Sequence, residues 1–458
     1  MTDSRSTTRR TFLTSSTAVA AGLGLSGCTT NSGTNTSTGS TGGGSSNANS
    51  NTIDIWLAWG GYYESIYDEM LGQFESQYPD YTINYTSKGN YRETLNAVFT
   101  AAQADNEPDI AHLGSGATVS IMNSGVFEPI SDIAGSQFDP SNYTGASVRP
   151  FEIEGKVRAL PFGSSQIIMF YNRSLFEEAG LDPESPPASL ESLQSASQTI
   201  VDSGAAEYGI TWPNAAWWPL SWMQEMGQPL TDAENGHAGE PSTLHLTSDA
   251  SLEIARWYEG MAESGLYMNP GIESWSPARQ AFITGDSAMH MTSVGSMAGE
   301  LSAANENGID LGAAALPTPS ANGMGHNAGT AALWARSGLT GEKREVVRDL
   351  MLFLTNPDQQ AYWHKSTGYY PTNKGAIDQL ESEGWYEENP AFGVAKEQLL
   401  SWEDSVATRG AAMGSSAQIT RIIAEQQERM FQGGTDAETA MQTAKEEGER
   451  VLEQYDRA

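Results

Sequence analysis

The fold is centred on the segment Pro161-Phe-Gly-Ser-Ser-Gln-Ile-Ile-Met-Phe-Tyr-Asn-Arg-Ser-Leu-Phe-Glu-Glu-Ala-Gly-Leu-Asp182. Residues 166–171 are apolar and rich in β-branched and aromatic side chains, which predicts a buried strand, and residues 173–179 predict a short helix ended by Gly180. The turn Gly163-Ser164-Ser165 before the strand offers hydroxyl and amide groups. We therefore predict that the chain passes here from one lobe to a second, with a ligand cleft at the junction.

Strands and helices alternate before this segment. Strand patterns lie at residues 53–57, 81–87 and 109–113, and helical patterns lie at 62–78, 91–104 and 118–124. Such alternation predicts a parallel sheet covered on both faces, with ligands beyond the carboxyl ends of the strands. That rule predicts rim positions at Trp59-Gly60, at residues 88–91 and at residues 113–116.

The residues that follow predict a second lobe and a return to the first. A hairpin over 151–160 leads into the crossing, and second-lobe elements are predicted at 190–202, 208–211, 248–264, 277–284 and 288–292. Amides of residues 294–297 are expected to face the cleft. The chain is predicted to return at 329–335, followed by helices at 342–354, 357–365, 418–432 and 436–455.

Composition limits the class of partner. At 458 residues, the chain is long enough for two hydrophobic cores. Its 57 acidic and 24 basic residues give a formal net charge of −33, which disfavours a nucleic-acid partner because phosphate backbones require a basic face. The acids are spread through helical segments rather than collected in a tail, which indicates adaptation to high salt.

The N-terminus has the pattern of an export signal and a tether. Arg9-Arg10 belongs to a twin-arginine motif, residues 18–25 form a short apolar stretch, and Leu25-Ser26-Gly27-Cys28 has the form of a lipobox. Cys28 is the only cysteine, so an intrachain disulfide is impossible; lipidation is the favoured interpretation, and an incidental signal-peptide cysteine is the alternative. Residues 29–51, almost wholly Ser, Thr, Gly and Asn, predict a flexible tether.

No enzyme motif or metal-ligand spacing stands out. Each of the six histidines is predicted to be a surface or hydrogen-bonded residue: His112, His237, His245, His290, His326 and His364. Nucleophile-elbow and nucleotide-binding motifs are lacking as well. No cofactor or metal is therefore expected. A secreted carbohydrate-active hydrolase and an adhesive surface protein remain the alternatives of other classes.

Four tryptophans lie close together, namely Trp212, Trp217, Trp218 and Trp222. Two interpretations are open, because aromatic side chains can fill the core of a lobe or stack on the face of a sugar or polyol. The prolines among them predict that regular structure is interrupted here. Trp217 and Trp218 are therefore candidates both for the core and for the ligand site.

Several motifs carry a family resemblance. They are Lys88-Gly-Asn-Tyr91, Pro161-Phe-x-Ser-Ser165, Tyr171-Asn-x-x-x-Phe-x-x-Ala-Gly-Leu-Asp-Pro-Glu-x-Pro-Pro187, Gly295-Ser296, Trp363-His-Lys-Ser-Thr-Gly-Tyr369 and Trp385-Tyr-Glu-Glu-Asn-Pro390. From residue 53 to the C-terminus, the chain resembles the extracellular solute-binding proteins of sugar-type ABC importers, and most of all those that bind glycerol-3-phosphate. With its acidic composition it resembles a haloarchaeal lipoprotein of this family.

The resemblance implies a two-lobed α/β fold of the type II periplasmic-binding-protein class, with the ligand cleft between the lobes. We expect the signal at residues 1–28, the tether at 29–51, the first lobe at 52–163 with 328–373, and the second lobe at 164–327 with 374–458. The implied function is that of a monomeric, lipid-anchored, non-enzymatic receptor outside the cell, which captures a polyol phosphate or a sugar for an ABC permease. Lobe closure would hinge at the crossings near Ser164 and Thr330.

The resemblance also implies ligand-binding residues. Four positions keep the side chain found in the family: Tyr91, Ser165, Ser293 and Tyr369. Three further positions differ from the family. Ser115 stands where the family has a glutamate, Thr330 where it has a glycine, and Thr420 where it has an arginine; Arg421 is the next residue. Losing a carboxylate and an arginine leaves phosphate-ester and sugar ligands both open. A phosphate would then require Arg421, Arg409 or backbone amides near Ser165 and Gly295.

Overall fold

The computed structural model describes residues 51–319, 323–327 and 329–456. The predicted export signal with Arg9 and Arg10, the lipobox residue Cys28 and residues 29–50 of the tether lie outside the described residues. Within the described ranges, no helix combines the length and the hydropathy that a membrane crossing requires.

The strands are named in chain order. They are β1 (Thr52–Leu57), β2 (Thr82–Ser87), β3 (Ile110–Gly114), β4 (Phe127–Glu128), β5 (Glu152–Ile153), β6 (Lys156–Val157), β7 (Leu160–Gly163), β8 (Ile167–Asn172), β9 (Tyr208–Thr211), β10 (Tyr267–Met268), β11 (Ser287–Ser293), β12 (Leu311–Ala315) and β13 (Ala331–Arg336).

The helices are named in the same way. They are α1 (Glu64–Gln77), α2 (Tyr91–Ala102), α3 (Thr118–Ser124), α4 (Ile130–Ala134), α5 (Gly145–Val148), α6 (Arg173–Glu178), α7 (Leu190–Ser203), α8 (Trp217–Glu225), α9 (Asp232–Asn235), α10 (Asp249–Glu263), α11 (Trp275–Ile283), α12 (Met297–Asn307), α13 (Gly341–Leu354), α14 (Pro357–Thr367), α15 (Lys374–Ser382), α16 (Trp385–Glu388), α17 (Pro390–Leu400), α18 (Ser416–Phe431) and α19 (Ala437–Asp456).

The first lobe is built on a mixed sheet with the order β2-β1-β3-β13-β4, and β7 also pairs with β13. β1 pairs in parallel with β2 and β3, whereas β13 runs antiparallel to β3. The first three strands are parallel, as predicted from the alternation of strands and helices, and β13, the predicted return from the second lobe, adds to this sheet in the opposite direction. Ile53 and Ile55 of β1 share one buried cluster with Phe74 of α1.

The second lobe is built on the sheet β10-β9-β11-β8-β12, in which β8 is antiparallel to both neighbours. The alternation of side chains along a strand explains why the apolar run of β8 is buried on both faces. Ile167 and Met169 belong to one buried cluster, and Ile168 and Phe170 belong to another. The predicted strand at 166–171 thus lies at the centre of the second sheet.

Three chain segments connect the lobes side by side. The first runs from β7 to β8, and its Ser164 forms an antiparallel bridge with Tyr370 of the second, which joins α14 to α15. The third leads into β13, where the Gly329 N–H donates to the Ser165 carbonyl over 2.7 Å. The Ser164 and Thr330 hydroxyls are 3.5 Å apart. Because the segments are hydrogen-bonded to one another, they can act together as a hinge.

The tryptophan-rich segment differs from the prediction. Regular structure is not interrupted at Trp217-Trp218-Pro219, because these residues begin helix α8. Pro219 lies in the first turn, where its missing N–H has no intrahelical partner to lose. α8 therefore presents a continuous helical face to the space between the lobes.

Candidate ligand-binding site

A cavity of about 400 Å³ lies between the two lobes. Its first-lobe wall comes from α2 and from the turn after β3, and its second-lobe wall comes from α8. Residues 409–413 and the first turns of α18 close one side, and Asn327 and Gly329 contribute from the third crossing. The volume lies within the range of pockets that bind small molecules.

The first-lobe wall follows the strand-end rule. Ser115 comes directly after β3 and lines the cavity, and its N–H donates to the Thr330 carbonyl over 2.8 Å. Tyr91, the first residue of α2, lies over Gly114, where an added Cβ atom would be 3.4 Å from the tyrosine ring. The Trp59 ring contacts the Tyr91 ring edge-on, with centroids 5.2 Å apart. Tyr91 therefore packs against the backbone at the edge of the sheet.

The four residues for which the resemblance implies ligand contact form two pairs near the crossings, and of the four Tyr91 lines the cavity, whereas Ser165, Ser293 and Tyr369 are not among its lining residues. The Tyr91 and Tyr369 hydroxyls are 3.4 Å apart, and the Ser165 and Ser293 hydroxyls are 2.5 Å apart. Gly295 joins the two pairs, since its N–H donates to the Ser293 hydroxyl over 3.0 Å and an added Cβ atom would be 2.6 Å from the Tyr369 ring. The structure thus brings together residues from widely separated parts of the chain.

Burial strengthens the preference of both phenols for the neutral state. Desolvation raises the pKa of Tyr91 above its ordinary value, and it raises the pKa of Tyr369 well above it, with the neighbouring phenol as a further cause. Both side chains are therefore neutral hydroxyls at physiological pH. As such they can donate hydrogen bonds to the oxygen atoms of a phosphate or a sugar.

The second-lobe wall is one face of α8. Trp217, Leu220, Ser221 and Gln224 line the cavity at helical spacing, i, i+3, i+4 and i+7. The half-buried Trp217 ring closes over Gly329, at 3.4 Å from where an added Cβ atom would stand. It also contacts the Trp275 ring, with centroids 6.3 Å apart. The two rings form an aromatic surface against which the carbon skeleton of a ligand can pack.

Trp218 does not share this position. Its side chain is fully buried within the second-lobe core, and its indole N–H donates to the Pro213 carbonyl over 2.5 Å. Trp212 and Trp222 are buried in the same core. Of the four clustered tryptophans, Trp217 is the one that lines the cavity, and a stacking role for Trp218 has no support in this geometry.

The C-terminal wall separates Thr420 from Arg421. Thr420 lines the cavity and its hydroxyl donates to the Ser416 carbonyl over 2.9 Å, whereas the exposed Arg421 is not among the lining residues and pairs with Glu425 at 2.6 Å. Arg409 does line the cavity and is bound to Asp404 at 2.6 Å. One further arginine, Arg92, lines the first-lobe wall.

Sequence reasoning missed Arg92, Ser221 and Gln224. A signal existed for Arg92, which directly follows the motif residue Tyr91. The α8 residues could not be found, because the segment was predicted to lack regular structure and its helical phase was therefore unknown.

Four histidines are buried, and one of them contradicts its prediction. His112 has no hydrogen-bond partner among the described residues, although it was predicted to be a surface or hydrogen-bonded residue. It lies between the Tyr91 and Phe162 rings, and desolvation lowers its pKa to about 3. His326 instead contacts Glu225 at 3.0 Å beside the third crossing. No cluster of His, Cys, Asp and Glu in the described ranges could hold a metal ion.

Comparison with known proteins identifies the family. The model of the bacterial extracellular solute-binding proteins matches residues 69–394. The chain belongs to this family. This solute-binding protein is 30% identical over 417 residues to the sn-glycerol-3-phosphate-binding periplasmic protein UgpB of Escherichia coli (strain K12) and to that of Shigella flexneri. Each alignment covers 89% of this chain and 94% of the relative.

Solved structures share the fold of this solute-binding protein. UgpB from Mycobacterium tuberculosis, in complex with glycerophosphocholine, has a TM-score of 0.74 at 23% identity and covers 89% of this chain and 99% of its own. The GacH receptor of Streptomyces glaucescens, solved unliganded and with acarbose, has a TM-score of 0.72 at 19% identity. The match covers 88% of this chain and 98% of the receptor. The predicted two-lobed periplasmic-binding-protein fold is therefore confirmed.

Membership of the family fixes the general role. The protein is a substrate-binding receptor of a sugar-type ABC importer, which binds a small molecule outside the cell and works with a membrane permease. Proteins of this family are not enzymes.

Proposed function

We propose that the receptor captures glycerol-3-phosphate or a related polyol phosphate. The observation that supports this most is the pairing of Tyr91, which lines the cavity between the lobes, with Tyr369, and of Ser165 with Ser293. The names of the relatives that share 30% of the sequence point to the same ligand class. So does the glycerophosphocholine bound to the Mycobacterium tuberculosis protein.

The proposed binding mode uses hydrogen bonds without chemistry on the ligand. The phenols of Tyr91 and Tyr369 donate to phosphate or hydroxyl oxygens, and Ser115 and Thr420 offer hydroxyls from the first-lobe wall and from the neighbouring C-terminal wall. The Trp217 ring packs against the carbon skeleton. Binding closes the lobes about the three crossings, because contacts from both walls are made only when the walls approach.

A sugar or an oligosaccharide is the second candidate. The paired Trp217 and Trp275 rings favour it, because aromatic faces stack on the apolar faces of sugar rings. The acarbose complex of the GacH receptor is consistent with such a ligand in this fold.

A thermal-shift screen in buffer of about 2 M salt tests the proposal. We expect the melting temperature to rise with glycerol-3-phosphate and with its diesters, because a ligand that binds only the folded state stabilises it by mass action. Glycerol and inorganic phosphate are the matched controls, because each contains one of the two parts of glycerol-3-phosphate. A rise with maltose alone would support the sugar receptor, release of a product would support a secreted hydrolase, and a response to no solute would support an adhesive protein.

We further propose that the receptor is exported by the twin-arginine route through Arg9 and Arg10 and is anchored by a lipid on Cys28. Cys28→Ser should move the protein from the membrane fraction to the medium with its melting temperature unchanged, since residues 29–51 separate the anchor from the folded body. Ser32→Ala, a substitution within the proposed tether, is the control and should remain in the membrane. Retention of Cys28→Ser in the membrane would refute the anchor.

A further inference from the structure

We propose that Arg92 is the residue that binds the anionic group of the ligand. The inference rests on the proposed function, because it assigns the charge partner of the phosphate. A phosphate group is bound best by a positively charged donor, so the arginines that line the cavity are the candidates.

Of the arginines in the described chain, Arg92 and Arg409 line the cavity. Arg409 is already engaged, because its guanidinium contacts Asp404 at 2.6 Å, and Arg149 approaches the same carboxylate at 3.4 Å. Arg421 pairs with Glu425 outside the cavity. Arg92 is the cavity arginine without a carboxylate partner among the described residues, so a ligand anion has no protein carboxylate to compete with there.

The absence of a partner for Arg92 is unusual in so acidic a chain. With 57 acidic and 24 basic residues, most basic side chains can find a carboxylate. Among arginines of the described ranges, Arg92 and Arg429 have neither an ion pair nor a side-chain hydrogen bond, and Arg429 lies on α18 away from the cavity lining. An unpaired guanidinium beside Tyr91 is available for an anion that the ligand brings.

The wall opposite Arg92 also offers donors without partners. Ser221 is 1% exposed and lines the cavity, and its hydroxyl has no hydrogen-bond partner among the described residues. The indole N–H of Trp217, on the same face of α8, is likewise unpartnered there. Buried polar groups are normally satisfied, and the partner that we assign to these two donors is a ligand oxygen. Glu273 is the carboxylate that lines the cavity. It is exposed, and it accepts a hydrogen bond from the Trp275 indole.

Calorimetric titration of sn-glycerol-3-phosphate at fixed salt, into wild type and variants, tests the proposal. We expect Arg92→Gln to weaken binding by about 10- to 100-fold, the usual effect of losing a charged hydrogen bond. Arg92→Lys should retain part of the affinity, because it keeps the charge without the planar fork. Arg429→Gln, which removes an equal charge from an arginine outside the cavity, should bind as wild type.

The outcomes separate this inference from the proposed function. Equal affinity of Arg92→Gln and wild type would overturn the role of Arg92 and leave the phosphate receptor intact. Failure of wild type to bind any phosphate ester would overturn both. Because a variant could weaken binding through misfolding, the melting temperature without ligand serves as the second readout, and a fall of several degrees in Arg92→Gln but not in Arg92→Lys would assign Arg92 a structural role instead.

Discussion

At the scale of single residues, Gly295 shows how the absence of a side chain allows two elements of the site to pack closely. Its backbone lies between the pair Tyr91–Tyr369 and the pair Ser165–Ser293, and the ring of Tyr369 occupies the space in which a Cβ atom would lie, at 2.6 to 2.9 Å. The Tyr63 hydroxyl donates to the Gly295 carbonyl over 3.0 Å and thereby ties the two lobes together at this turn. The sequence motif Gly295-Ser296 is therefore explained by close approach rather than by a special backbone angle.

Gly295→Ala should displace Tyr369 and weaken ligand binding. We expect a loss of about 1 to 3 kcal/mol in folding free energy, the usual cost of overpacking, because an aromatic ring held in the core cannot move aside easily. The matched control is Gly299→Ala, where the added Cβ atom meets nothing within 4 Å and sits in a helix that favours alanine. Urea unfolding and calorimetry measure both effects, and equal behaviour of the two variants would contradict this account.

His112 gives the residue-scale prediction on pH. Its folded-state pKa of about 3 lies below the value near 6.5 expected in the unfolded chain, so the unfolded state binds more protons as the pH falls. Above pH ~6.5, His112 is neutral in both states and its protonation does not lower the free energy of unfolding. Between about pH 6.5 and 3, the free energy of unfolding decreases by about 1.4 kcal/mol per pH unit as the pH falls. His112→Phe, which fits the contacts with Tyr91 and Phe162, should lose less stability on acidification. Urea unfolding at pH 6.5, 5.5 and 4.5 measures the difference, and parallel pH profiles would contradict it.

At the scale of elements, the cap of α2 positions the first-lobe wall. The Asn90 side chain accepts from the Glu93 N–H over 2.9 Å and so fixes the helix start at which Tyr91 and Arg92 stand. Asn90→Ala should cost about 1 kcal/mol of stability and also weaken ligand binding. Asn172→Ala, at the cap of α6, removes the same kind of contact from the second lobe and should reduce stability alone. If both variants bind ligand equally well, the cap has no part in positioning the site.

Most elements could be predicted from the sequence, because their hydrophobic periods and end signals agree. The strand at 166–171 is observed as β8 and the helix at 118–124 as α3, within a residue at each end. α8 was missed because a proline in the first helical turn has the same sequence signal as a proline that ends regular structure. The positions of Thr420 and Arg421 show a second limit, since adjacent residues on α18 face directions about 100° apart and only the structure gives the phase.

At the scale of the whole molecule, the charge of −33 should make stability depend on salt. Raising KCl from about 0.1 M to about 1 M shortens the screening length from roughly 10 Å to 3 Å and weakens repulsion among surface carboxylates. We expect the melting temperature to rise steeply over this range. Glycine betaine at equal osmolality, which carries no net charge, should raise it less. A flat response to KCl would contradict adaptation to high salt.

The central claim is that one phosphorylated polyol binds between the lobes and leaves unchanged. Titration of sn-glycerol-3-phosphate followed by phosphorus NMR tests it most directly, because the spectrum reports binding and the integrity of the ester together. We predict that the phosphate resonance shifts or broadens until one equivalent is bound, and that no inorganic phosphate appears after prolonged incubation. An unperturbed resonance at every ratio, or the growth of an inorganic phosphate signal, would contradict the account.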